Sequence, residues 1–237
     1  MAVNFVLASN QSATLSSSLG DLRNVSGGSL SLWFKATSFP ASGERFLLVL
    51  ANGLSGTSSR LSLSIRPPGS VFRTSSRRLD ADAVTSLDST GVTLTTGVIY
   101  HLCAVAEWGS GNLRLYINGV QNNSVAIGGW TGNSSNTASV AATMGTRSAS
   151  ENVDGVMDDA RVYNRALTVN EVMNIYISKG RDTVVNGMVG RWKLMNNSVG
   201  SAMGTCPSIG SNQGGAVAVN TPLIAASLGI VTRARRH

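Results

Sequence analysis

The chain of 237 residues is short of charge, of aromatic rings and of cysteine: charged residues make up 13%, Phe, Trp and Tyr together 5%, and there are 2 cysteines and 2 histidines. Cys103 lies in a buried-strand pattern and Cys206 in a Gly/Ser-rich stretch before Pro207, so no disulfide framework is implied. Packing is the reading for both thiols, ahead of metal binding or nucleophilic catalysis. Lysine occurs only at 35, 179 and 193 and glutamate only at 44, 107, 151 and 171, too few for a helical protein. No apolar run is long enough to span a membrane. The opening MAVNFVLASNQ lacks a basic leader followed by an apolar core, so no cleaved secretory signal is expected, and synthesis and folding in a cytoplasm follow.

What is present is turn chemistry. Gly 26 with many Ser, Thr and Asn describes short strands joined by turns, and the length suits one large β-sandwich. Strands are expected near 3–8, 12–16, 29–36, 45–51, 60–66, 70–74, 91–95, 99–107, 112–118, 122–127, 138–145 and 155–163. So many short strands mean a sandwich or barrel. One helix is expected over 168–179: Thr168 stands as N-cap with Glu171 three residues on, Val172, Ile175 and Tyr176 form the apolar face, and Gly180 ends it. Met188 to Leu194 reads as a further strand with Trp192 buried, whereas 196–215 shows no periodicity.

The net charge of +7 is almost all arginine. Arg73, Arg77 and Arg78 lie between Pro67-Pro68 and Asp80/Asp82 and read as a solvated loop; no nucleic-acid motif or interleaved aromatics accompany them, so a nucleic-acid partner is not expected. The terminal Arg233, Arg235 and Arg236 read as a docking tail for an acidic partner surface.

Two segments carry the most information. In NLRLYING, Leu113, Leu115 and Ile117 alternate with polar residues before the turn at Asn118-Gly119; GVMDDARVYNRAL, from Gly155 to Leu167, is an extended run that leads into the helix. These segments, with Ser29–Phe34 and Tyr100–Val105 as weaker matches, resemble the laminin-G-like, concanavalin A-like jelly-roll domains over roughly residues 1–180. The resemblance implies an all-β sandwich of two antiparallel sheets with one short helix. It leaves 181–237 as an extension that completes the sandwich or contacts a neighbouring subunit, with Thr221–Val231 apolar enough to need burial.

The same family hosts glycosidases, whose E-x-D-x-x-E strand places two carboxylates on one face. No such motif occurs here, the four glutamates are isolated, His101 reads as a structural residue and His237 ends the chain, so no catalytic residue is assigned and a polysaccharide-degrading enzyme is the least favoured class. A structural Ca²⁺ is implied at Asp158 with oxygens near Asn10, although Asp158 and Asp159 should face opposite sides of a regular strand and cannot both hold one ion. Accepting backbone hydrogen bonds, or pairing with Arg161, is the competing role for Asp158. Sugar binding is what the family most often implies: Trp108 and Trp130 sit in predicted loops for stacking, Asn122 and Asn123 can donate and accept beside them, and Trp33 and Trp192 belong to the core. A jelly roll with no leader and no attached enzyme domain is expected on a virion surface, as a bacteriophage head decoration or fibre subunit that forms a homo-oligomer and meets capsid or tail proteins. The alternative is an extracellular carbohydrate-binding module that meets cell-surface glycans.

Overall fold

The computed structural model describes residues 2–5, 12–15, 22–51, 59–67, 71–79, 81–109, 111–127, 130, 132–134, 141–147, 151–192, 209–213 and 217–219. Along the chain these form β1 (Ala2–Phe5), β2 (Ser12–Leu15), β3 (Gly27–Ala36), β4 (Arg45–Ala51), β5 (Ser59–Arg66), β6 (Val71–Ser76), β7 (Thr85–Asp88), β8 (Ile99–Glu107), β9 (Asn112–Ile117), β10 (Val120–Ala126), β11 (Ala141–Met144), β12 (Gly155–Tyr163), α1 (Val169–Ser178), β13 (Met188–Trp192), β14 (Ile209–Gln213) and β15 (Val217–Val219). One antiparallel sheet runs β10-β9-β8-β3-β12-β1-β15, with β13 also on β12; the other runs β14-β2-β11-β4-β5-β6-β7. Neighbours such as β3 with β12 and β4 with β11 are distant in sequence, so the chain passes back and forth between the sheets as a jelly roll does.

Alternation decides which face is buried. Leu30, Leu32 and Phe34 of β3, Leu102, Ala104 and Ala106 of β8, and Leu113, Leu115 and Ile117 of β9 all point inward, where they meet Leu61, Leu63 and Ile65 of β5 and Phe72 of β6. A one-residue slip would turn each of these sets to the other face, so the pattern fixes the register. Phe72 sits edge-on to both Phe34 and Tyr100, with ring centroids 6.4 and 5.3 Å away. Each large side chain removed from water here stabilises the fold by about 1.5–3 kcal/mol.

Most expected strands are present within a residue or two, but the one placed at 91–95 is not. The strand there is β7, Thr85–Asp88, which pairs with β6. Val92 and Leu94 alternate as a strand would, yet they pack onto the core from a loop that opens at Gly91 with φ +65°. The helix begins and ends as expected: Thr168 accepts from the Glu171 amide, the Glu171 carboxylate accepts from the Thr168 amide, and Lys179 closes α1 in the left-handed region. Val172 and Ile175 are buried against the outer face of the first sheet, and Tyr176 stacks on Trp33. Beyond the helix, β13 pairs with β12, β14 with β2 and β15 with β1.

Candidate functional site

The outer face of the second sheet is polar across β5, β6 and β7. With Leu61, Leu63, Ile65, Phe72 and Leu87 turned inward, alternation turns Ser62, Ser64, Arg66, Arg73, Ser75, Ser86 and Asp88 outward. Register puts Ser64, Arg73 and Asp88 in one row and Ser62, Ser75 and Ser86 in the next. Arg73, grouped by charge with Arg77 and Arg78 as a solvated loop, lies on β6 within the strand expected at 70–74, at an outward position between Phe72 and Thr74.

This row is wired by charge. Arg73 donates through Nε to Asp88 Oδ1 at 2.6 Å and through Nη2 to Oδ2 at 3.0 Å, while Arg66 Nη1 donates to Oδ2 at 3.1 Å. Ser64 donates to Glu44, whose other oxygen is 3.8 Å from Arg73 Nη1, and the Ser75 and Ser86 hydroxyls meet at 2.9 Å. The Arg73 fork holds the Asp88 carboxyl below the usual carboxylate range against a smaller opposing effect of burial. Asp88 is therefore a standing anionic acceptor one-third open to solvent, and Arg66, about half exposed, engages it through Nη1.

The residues expected to bind sugar do other work. Trp108 is fully buried, and its indole N–H donates to Ser76 Oγ at 2.8 Å. The β8 alternation of Leu102, Ala104 and Ala106 continues one step to Trp108, whose amide still donates to Ser26 O, so its ring is carried into the core and cannot stack on a pyranose. Trp130 is half-buried and leans on the same core. The Asn122 amide exchanges two hydrogen bonds with the Thr90 backbone, and Asn123 donates to Asp88 O at 2.8 Å while its own carbonyl accepts the Ser124 amide. Both amides are thus engaged with the backbone, where they pin the end of β7 that carries Asp88. Asn118, at φ +52°, accepts from the His101 amide and serves its turn. Arg233, Arg235, Arg236 and Asn10 lie outside the described residues.

Residues 7–173 match the concanavalin A-like lectin/glucanases superfamily, which is well over half of the chain. The chain belongs to that superfamily. No curated protein matches it in sequence. Among solved structures it resembles a heptameric SAP-like pentraxin from Limulus polyphemus (16% identity, 74% of this chain and 81% of that one, TM-score 0.56). It also resembles a Bacteroides ovatus protein assigned as carbohydrate binding (16%, 93% and 60%, TM-score 0.60). A third is the CBM40 module of the Ruminococcus gnavus IT-sialidase bound to α2,3-sialyllactose (17%, 74% and 96%, TM-score 0.56). At these identities the likeness is one of fold.

In this lectin/glucanase fold the D-D-x-R segment builds a buried ion cluster. A bulge in β12 after Asp158, with Asp159 at φ +47°, breaks the regular alternation expected of the two aspartates and leaves both buried. Asp158 Oδ1 accepts the Asp159 amide at 2.8 Å, and it is Asp159, not Asp158, that pairs with Arg161. Arg161 is wholly buried and also forks Asp182 at 2.7 Å through each of two nitrogens; Arg191 Nε reaches Asp159 at 2.7 Å. Burial opposes ionisation of Asp159 and Asp182, but these guanidinium hydrogen bonds outweigh it and lower both carboxyl pKa values. A calcium ion wants six to eight oxygens. No group of three acidic, His or Cys ligands forms among the described residues, and Asn10, the other expected ligand, lies outside them.

Three of the glutamates are held in the same way by arginine. Glu107 is held by Arg114, Glu151 by Arg147 and Glu171 by Arg165, the last pushed down to about 2 chiefly by that arginine. Glu171, kept ionised in this way, is unsuited to donate a proton as general acid. His101 is buried beside Trp33 beneath α1, with Nε2 2.9 Å from Ser31 Oγ and Nδ1 unpartnered.

Proposed function

We propose that this protein is a noncatalytic carbohydrate-binding module, and that its ligand face is the outer side of the second sheet where β5, β6 and β7 meet. Asp88, paired with Arg73 and Arg66 and two residues from the exposed Ser86, carries the proposal, while Ser64 and Ser75 alongside are buried. Sugars are recognised by fixed anionic acceptors and guanidinium donors that need not reorganise when hydroxyls arrive. Asp88 is such an acceptor: it is ionised, partly open, and locked in place through Arg73 and through the grip of Asn123 on its backbone. The fold supports this reading, since similar structures include a module bound to α2,3-sialyllactose. Cell-surface or other extracellular glycans are the partners it implies. A place on a virion, expected from the sequence, has no observation of its own behind it.

The test is a glycan array followed by titration calorimetry on the full chain. Binding that Asp88→Asn weakens at least tenfold supports the assignment. Because Asp88 also anchors two arginines, Ser86→Tyr provides a second variant that blocks the face from an exposed position without touching the ion pairs. Sugar binding indifferent to both variants would move the site elsewhere, and absence of binding to any glycan would end the proposal.

A further inference from the structure

The ligand face has an acid-reading corner. Arg66 stands at the end of β5, about half exposed, and spends only Nη1 on Asp88 among the described residues, while Arg73 spends a complete fork on the same carboxylate. Asp88 therefore satisfies one arginine fully and the second in part. The planar guanidinium matches a carboxylate best when two parallel donors are used, so Arg66 has the fork geometry still to offer. Arg66 shares the ionised acceptor Asp88, and two residues from Asp88 on β7 stands the exposed Ser86, bonded to the buried Ser75.

Resting on the carbohydrate reading above, we infer that the saccharide recognised by this face carries a carboxylate, which Arg66 forks while Asp88 and Ser86 take the neighbouring hydroxyls. Outward of the core, the second sheet and its flanking segment bring together Arg66, Arg73 and Arg147 against Glu44, Asp88 and Glu151; each of these carboxylates has an arginine partner, and Arg66 is the most exposed cation of the set. A neutral glycan would leave that exposed fork in water, with no gain from its presence. An acidic one replaces water at the fork and keeps the internal Arg73–Asp88 pair intact, so binding requires no rearrangement of the sheet.

The experiment compares matched probes on the full chain: trigalacturonate against its carboxyl-reduced trisaccharide, and α2,3-sialyllactose against lactose, each at low and high salt. The inference expects at least one acid form to bind tenfold or more tightly than its neutral partner, with the preference shrinking as salt screens it. Arg66→Gln should erase the preference while the melting temperature stays within a degree or two of the parent, because so exposed an ion pair contributes little to folding. Equal binding of acidic and neutral forms, or an acid preference that survives Arg66→Gln, overturns the inference and leaves the carbohydrate reading standing. Failure of every saccharide, acidic or neutral, overturns both.

Discussion

Acid should weaken this fold before its carboxylates begin to titrate, and His101 is the reason. Its ring is fully buried between Trp33 and Tyr176, with Arg161, Asp159 and Asp182 as the charged groups nearby. Burial, aided by the positive charge of Arg161, pushes its pKa from 6.5 down to about 3. A group that stays neutral in the fold and protonates more readily in the unfolded chain contributes stability that is full above the unfolded pKa and is lost as pH falls toward the folded one. The loss runs at about 1.4 kcal/mol per pH unit, so between pH 7 and pH 5 it amounts to about 2 kcal/mol. For a chain of this size that is a drop of roughly 4–8 °C in melting temperature. Asp88, Asp159, Asp182 and Glu171 all have lowered pKa values, so their contribution is lost below about pH 5, which leaves the window above it to His101. The assay is urea unfolding at pH 7 and pH 5 for the parent and for His101→Gln. The substitution lowers stability at both pH values, and it should also abolish the difference between them. Parallel losses in parent and variant would refute the account.

Three further outcomes follow from the same contacts. Arg161→Met leaves the buried Asp182 carboxylate without its fork and Asp159 with Arg191 alone, and should cost about 3–5 kcal/mol in urea unfolding; a loss below 1 kcal/mol would show the cluster to be dispensable. Thr168→Ala removes the hydroxyl that caps α1 and should cost about 1 kcal/mol, with faster amide exchange confined to the helix. Trp108→Ala opens the core and removes the indole N–H bond to Ser76, a cost of about 3–5 kcal/mol, yet the surviving folded protein should keep its glycan affinity; selective loss of affinity at a temperature where the variant is folded would restore a stacking role for this ring.

The long strands were legible because a half-buried strand must alternate: Leu30, Leu32 and Phe34, or Leu113, Leu115 and Ile117, allow one register only. The helix was legible because its cap is local, with Thr168 and Glu171 three residues apart. The proposed ligand face is the opposite case. Ser64, Arg73 and Asp88 come from three strands, and β7 carries a single inward apolar residue, Leu87, too weak a pattern to outbid Val92 and Leu94 further along. Without β7 in place, Arg73 has no visible carboxylate and reads as one of a basic run in a loop. The signal that could have found it lies in β5 and β6, where Ser62, Ser64 and Arg66 and then Arg73 and Ser75 hold every second position against a leucine-rich inner face.

Trp108 was misplaced for a related reason: neighbouring glycines mark where a chain bends, but not how far the ladder runs before it bends. The Trp108 amide still donates to Ser26, so the ring keeps the inward phase of β8, whereas Asn122 and Asn123 lie within β10 and turn their amides to the backbone of Thr90, just past β7, and of Asp88. Those two asparagines nonetheless stand next to the proposed site, acting on it through the backbone of Asp88 and Thr90. A binding face built this way has its anionic acceptor positioned before any sugar arrives, so the free energy of ordering that row is met in folding rather than in recognition.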